Sequence, residues 1–220
     1  MVRAVVVVCV AIACSTALSQ TPRRANRAPT VDEPQLNTGS LLVASEKLRD
    51  PSFAESVVLI LEHDTDVGTL GLIINRRTEV PLARIFPDLK GGSTDPVYAG
   101  GPVSITAVQA LLRLPGEMDG ARHVGDDVYA TGSKELIEKA VREHTAPSKF
   151  RLYAGYAGWA PGQLEAEARL GAWSVLENRS RLVFDADPDS LWPRLTRESH
   201  MQIATRGFRS QYMPGGALAQ

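Results

Sequence analysis

The run Ser56-Val57-Val58-Leu59-Ile60-Leu61-Glu62 constrains this chain more than any other stretch. It is rich in β-branched residues, and its five apolar positions are unbroken by polar ones. A run of this kind fits a central strand buried on both faces. Any fold that accepts it must cover a sheet from two sides. Asp64 to Gly68 then carries turn chemistry, and Thr69 to Asn75 reads as the next strand. Residues 56–75 are therefore expected to form a hairpin with a loop of about five residues.

More strands follow at short intervals. Leu41 to Ala44 is a short apolar run, and Asp50-Pro51 marks the loop after it. Pro96 to Ala99 is a strand that ends at Gly100-Gly101-Pro102, and the apolar run Val103 to Leu114 fits either a strand or a helix and is read as a strand. Val128 to Ala130, Phe150 to Tyr153, Ala172 to Leu176 and Leu182 to Phe184 complete the set. Helical signals are fewer. Pro81 to Phe86 fits one or two turns. Ser133 is an N-cap candidate for a helix with Leu136, Ile137, Ala140 and Val141 at helical spacing. Pro188 to Leu195 begins a final helix. Strand after strand, with helices interspersed, departs from a regular βαβ alternation. It predicts an α+β class: a single compact domain with a mostly antiparallel, strongly bent sheet and a few helices packed outside. A chain of 220 residues suits one such domain.

The termini read differently. Arg3 and the apolar run Ala4 to Ala13, too short to span a bilayer, predict an export signal over 1–19, with Ala17 and Ser19 at the −3 and −1 places. Residues 20–38 carry Pro22, Pro29 and Pro34 with Arg23, Arg24 and Arg27, and are expected to be a disordered linker. The domain then spans 39–204, and 205–220 reads as a flexible tail. The only cysteines, Cys9 and Cys14, fall inside the signal, so the mature chain is expected to hold no thiol. Ala11-Ile12-Ala13-Cys14 also resembles a bacterial lipobox, which makes Cys14 a lipidation candidate and the one route to membrane attachment. A periplasmic or secreted protein is expected. A lipid-anchored one is the alternative, and a cytoplasmic one if the apparent signal misleads. The formal net charge of −1 offers no basic footprint for nucleic acid.

The segment Gly155 to Glu167 is the candidate site. It predicts a strand, then a tight glycine-built loop, then a short helix opened by Pro161. Tyr156, Gly158 and Trp159 would wall an aromatic pocket with backbone donors, suited to an anion. Equally, Trp159 would cap the core at a structural corner, and this reading has the stronger base rate. Gln163 and Glu165 could point into the loop, although the helix dipole alone favours carboxylates there. Asn75, beside Arg76, could meet a ligand or cap backbone groups. Gly100 and Gly101 could form an anion nest. Glu62-His63-Asp64 would need His123 or His144 to hold a metal, and no spacing supports one. Neither a dinucleotide fingerprint, a Walker motif nor Gly-x-Ser-x-Gly occurs, so no cofactor is expected.

Several blocks in order resemble the YqgE/AlgH family of bacterial proteins, over about residues 39–196. They are Gly39-Ser40-Leu41-Leu42-Val43-Ala44-Ser45 with Asp50-Pro51-Ser52-Phe53, then Ser56-Val57-Val58 to Glu62-His63, then Gly71-Leu72-Ile73-Ile74-Asn75-Arg76. Tyr98-Ala99-Gly100-Gly101-Pro102-Val103, the 155–167 segment and Gly171-Ala172-Trp173 follow. The resemblance implies a compact α+β domain without established catalysis, in a family whose members often carry a transcriptional-regulator label. The chain departs from the family in its export signal, in Arg77 where a proline is common, and in its C-terminal extension. An exported protein cannot touch the transcription machinery. The expected role is therefore a non-enzymatic binding or regulatory module outside the cytoplasm, with a protein or a small anionic ligand as partner. The alternatives are a cytosolic transcriptional regulator, or a hydrolase-like enzyme built from Asn75, Glu165 and one histidine.

Overall fold

The computed structural model describes residues 35–88, 94–177 and 179–212, and of 202–212 the backbone alone. The first part runs β1 (Leu41–Ala44), β2 (Val57–Asp64), β3 (Gly68–Ile73), β4 (Arg77–Pro81), α1 (Leu82–Ile85), β5 (Pro96–Ala99) and β6 (Val103–Arg113). The second runs β7 (Arg122–Gly125), β8 (Val128–Thr131), α2 (Lys134–Arg142), β9 (Phe150–Trp159), α3 (Gln163–Arg169), β10 (Trp173–Leu176) and α4 (Leu191–Tyr212). This is the α+β architecture the strand order predicts. The ten strands form one open sheet in the order β10-β1-β2-β3-β9-β6-β8-β7, with β5 and β4 branching from β9. All ladders are antiparallel except β5 on β9.

β2 is the central strand its composition demands. Val57, Leu59 and Leu61 enter one core, with Leu41, Leu72, Tyr153 and Leu191. Val58 and Ile60 enter the core on the other face, with Trp159, Leu164 and Trp173. A third core gathers Leu112, Tyr129 and Phe150 under Ile137 and Val141 of α2. That helix starts where expected: the Ser133 hydroxyl accepts the Leu136 N–H at 3.3 Å.

β9 bends the sheet. Its first half, Phe150 to Ala154, pairs with β6, and its last residues, Ala157 to Trp159, pair with β3. Gly155 lies between them at φ 72°, where a Cβ would sit 2.5 Å from the Gly101 carbonyl. Only glycine permits that turn of backbone against so close a neighbour.

Four expectations are corrected. Gly155 to Trp159 is strand rather than loop; the turn is Ala160 to Gly162, and Pro161 lies in it. Leu182 to Phe184 is part of a 3-10 turn, Ser180–Phe184, instead of a strand. The buried Arg151 guanidinium fixes that turn by donating to the Val183 carbonyl at 2.6 Å and to that of Asp185. α4 runs on to Tyr212, into the segment expected to be a loose tail. The domain also takes in residues before 39: Leu36 is buried in the core beside Trp159. β4 and β7 were not foreseen. Both are polar in sequence and form by pairing with β5 and β8. The proposed signal with Cys14, residues 20–34 of the expected linker and residues 213–220 lie outside the described residues.

Candidate functional site

The Trp159 ring is 5% exposed and stacks on Phe53, centroids 5.5 Å apart, with Trp173 edge-on at 5.9 Å. Both indoles donate to one oxygen: Trp159 Nε1 lies 3.0 Å and Trp173 Nε1 2.8 Å from Glu167 Oε2. Glu167 Oε1 accepts from Gln163 Nε2 at 2.9 Å, and Gln163 Oε1 accepts the Ala160 N–H at 3.1 Å. The chain of bonds locks α3 onto β9 and β10. Gln163 and Glu167 sit four apart on one helix face, whereas Glu165 looks elsewhere. Glu167 is the residue that sequence reasoning passed over. Two tryptophans flanking a short acidic helix were its signal, since a buried indole N–H needs an acceptor.

This geometry makes Trp159 a core anchor and removes the aromatic-walled pocket. Tyr156 is half-buried and packs against the first core. Gly158 is exposed, with no left-handed φ; a Cβ there would touch only the Tyr156 ring, at 3.5 Å. The glycine that the bend requires is Gly155, at φ 72°. Asn75 caps backbone: its Oδ1 accepts the Val57 N–H at 2.8 Å and its Nδ2 donates to the Glu55 carbonyl at 3.0 Å. Arg76 donates to the carbonyls of Ser52 and Ala54 at 2.6 and 2.9 Å. Gly100 and Gly101 cross β9 at close range rather than forming a nest. The Gly100 N–H is spent on the Ala154 carbonyl at 2.8 Å, and a Cβ would meet the Gly155 carbonyl at 2.4 Å. Arg77, the family departure, pairs with Asp189 at the surface.

The Glu62-His63-Asp64 segment splits three ways. A register shift between Ile60 and Glu62 sets the end of β2 apart from its centre. Glu62 pairs with Arg122 of β7. The Asp64 carboxylate accepts the N–H groups of Asp66 and Val67 at 2.8 and 3.0 Å. His63 Nδ1 lies 2.8 Å from the Thr69 hydroxyl, and its Nε2 lies 3.7 Å from Glu165 Oε1. The structure therefore brings Glu165 to a histidine but leaves Asn75 at the far end of β2, about 20 Å away by strand rise. Among the described residues, no group of three or more His, Cys, Asp or Glu could hold a metal ion.

Two open clefts meet at the Glu62–Arg122 pair. One, of about 460 Å³, is lined by Leu70, Gln109, Ala121 and Thr131 as well as the pair. The other, of about 580 Å³, adds His63, Asp64, His123 and Val124. Both ion-pair partners are about half exposed, at 44% for Arg122 and 55% for Glu62. Burial lowers the proton affinity of the Arg122 guanidinium from its usual value. His123 Nε2 lies 2.9 Å from the Asp126 carbonyl, which requires that nitrogen to carry the proton. None of the residues 155–165 lines either cleft. Arg122, the residue the two clefts share with Glu62, lies in a polar stretch with no motif to mark it.

Comparisons with known proteins agree with this architecture. The family model described as AlgH-like (DUF179) matches residues 41–204. A UPF0301 protein of Streptomyces coelicolor is 38% identical over 172 residues, covering 76% of this chain and 89% of that one. A UPF0301 protein of Thermobifida fusca is also 38% identical, over 179 residues, with the same coverage. The crystal structure of protein DIP2367 from Corynebacterium diphtheriae aligns with a TM-score of 0.60 at 27% identity, over 76% of this chain and 89% of that one. The solution structure of AlgH from Pseudomonas aeruginosa aligns with a TM-score of 0.57 at 27% identity, over 82% and 95%. The ordered blocks, the bent ten-stranded sheet and these matches together place the chain in the YqgE/AlgH family, the UPF0301 proteins.

Proposed function

We propose that this chain is a non-enzymatic binding module that works outside the cytoplasm and takes small anionic ligands at Arg122. The observation that carries the reading is the ion pair common to both clefts. Arg122 faces open space on each side of Glu62. An exposed pair of this kind is worth little, about 0–1 kcal/mol, so an incoming carboxylate can take the place of Glu62 at small cost. Arg presents a planar fork of donors that suits two-point contact with such a group. The polar groups expected to act elsewhere are occupied: Asn75 by backbone, Gln163 by Glu167 and Ala160, and Gly100 by β9. Action outside the cytoplasm rests on Arg3 and the apolar run Ala4 to Ala13.

Titration of the isotope-labelled protein with glutarate, followed by amide shifts, tests the ligand half. Saturable shifts confined to β2, β7 and β8, abolished by Arg122→Gln, are expected. Shifts that persist in Arg122→Gln would refute the assignment. Cell fractionation with N-terminal mass analysis tests the compartment. Intact Met1 on soluble cytosolic protein would refute it.

A further inference from the structure

Between Val103 and Val108, β6 leaves both of its neighbours. Its ladder with β9 jumps from Val103↔Tyr156 to Val108↔Ala154, so residues 104–107 stand opposite Gly155 alone. Its ladder with β8 starts only at Ala110. The result is an arch raised from the sheet. Ser104 turns it, at φ 47°, and it rests on Gly155, where a Cβ would lie 3.0 Å from the Val103 carbonyl and 3.3 Å from the Ile105 Cα. Residues 103–107 are all exposed, Ile105 at 70%.

Composition makes this arch unusual. From Pro96 to Leu112 the chain has no Asp, Glu, Lys or Arg. The exposed stretch instead offers Val103, Ile105 and Thr106, three β-branched side chains. Strand segments that face water are ordinarily guarded by charge or proline. Here β4 carries Arg77, Glu79 and Pro81, and β7 carries Arg122. The arch has neither safeguard within it. An uncharged, β-prone segment with backbone outside its ladders is a template for another strand.

We infer that the arch pairs with the same arch of a second copy of this chain, antiparallel about a two-fold axis near Thr106. A two-fold contact sets a patch against itself, so any charge in it would meet its own copy. Residues 96–112 meet that condition by carrying none. The pairing sets the backbone of 104–107, which has no register partner in either ladder, against the same backbone of the second copy. It also places the two Thr106 Cα atoms within about 6 Å of each other, close enough for a disulfide between cysteines there.

Sedimentation and oxidative cross-linking of the full chain test this. Wild type is expected to sediment at twice the chain mass. Ile105→Lys should halve that mass, and Leu170→Lys, at the still more exposed leucine that caps the end of α3, should leave it unchanged. In a chain with Cys9→Ser and Cys14→Ser, Thr106→Cys supplies the only thiol. Mild oxidation should convert it to a covalent dimer, and that readout holds even if Ile105→Lys fails to fold. A wild type that sediments as a single chain, including one that pairs only with a strand of a different protein, overturns the inference. So does a dimer that survives Ile105→Lys, or one in which Thr106→Cys does not cross-link.

Discussion

Removing the Glu167 carboxylate should expose how α3 is held. In the native protein one carboxylate oxygen accepts two indole N–H groups, and the other accepts the Gln163 amide. Trp159 and Trp173 are 5% and 4% exposed. Glu167→Ala leaves both indoles without an acceptor, and each buried donor left unpaired costs about 1–3 kcal/mol. The pair together sets an expected loss of about 2–6 kcal/mol. For a domain of this size each kcal/mol lowers Tm by about 2–4 °C, so a loss of about 4 kcal/mol, the middle of the range, shifts it by about 8–16 °C. Glu167→Gln separates the bonds from the packing. Its amide oxygen can keep the place of Oε2 and serve both indoles. Its NH2 then faces the NH2 of Gln163, which cannot simply flip because its oxygen already accepts the Ala160 N–H. The expected cost is about 1 kcal/mol. Trp159→Ala sets the scale, at about 3–5 kcal/mol for a large buried aromatic. Urea melts followed by tryptophan fluorescence and by far-UV circular dichroism measure all three. Equal losses for Glu167→Ala and Glu167→Gln, or a Glu167→Ala loss below about 0.5 kcal/mol, would refute the shared-acceptor account.

Three further substitutions test the glycine crossing and the acid response. Gly100→Ala puts a methyl 2.4 Å from the Gly155 carbonyl and 2.8 Å from Leu72 Cδ2, so a loss above about 4 kcal/mol or outright failure to fold is expected. Gly132→Ala, where nothing lies within 4 Å, should change stability by less than about 0.5 kcal/mol; similar melts for the two would refute the close-crossing reading. Asp185 is a partly buried acid-sensitive group. Burial raises its pKa, but the hydrogen bonds from Arg194 and from the Asp187 N–H outweigh that and hold it below the ordinary value. A depressed carboxyl contributes stability above its unfolded pKa, about 3.9, and the contribution fades as pH falls through the folded value. Asp185→Asn should therefore lose stability at neutral pH and show a flatter decline below pH about 4; an unchanged acid limb would argue against it.

What the residues determine alone is the local grammar. The unbroken run of β2 requires burial on both faces, because no side of it tolerates water. The Ser133 cap and the spacing from Leu136 to Val141 specify α2 without help from elsewhere. The ordered blocks carry the family, and strand after strand carries the α+β class. Tertiary structure decided the rest. β4 and β7 have no apolar period and become strands only because β5 and β8 offer backbone partners. Leu182 to Phe184 has strand composition, yet Arg151 from β9 claims the carbonyls of Val183 and Asp185 and holds the segment as a 3-10 turn. The role of Gly155 is invisible until Gly101 is seen to cross it. Glu165 and Glu167 look equivalent in sequence, two residues apart on one helix. The turn of the helix sends one toward His63 and the other to two indoles, one on β9 and one on β10. Arg122 and Glu62 are sixty positions apart and meet only when the sheet curls. A side chain's neighbours along the chain are fixed by its sequence, but its partners across a bent sheet depend on register and twist, which the whole set of strands settles together.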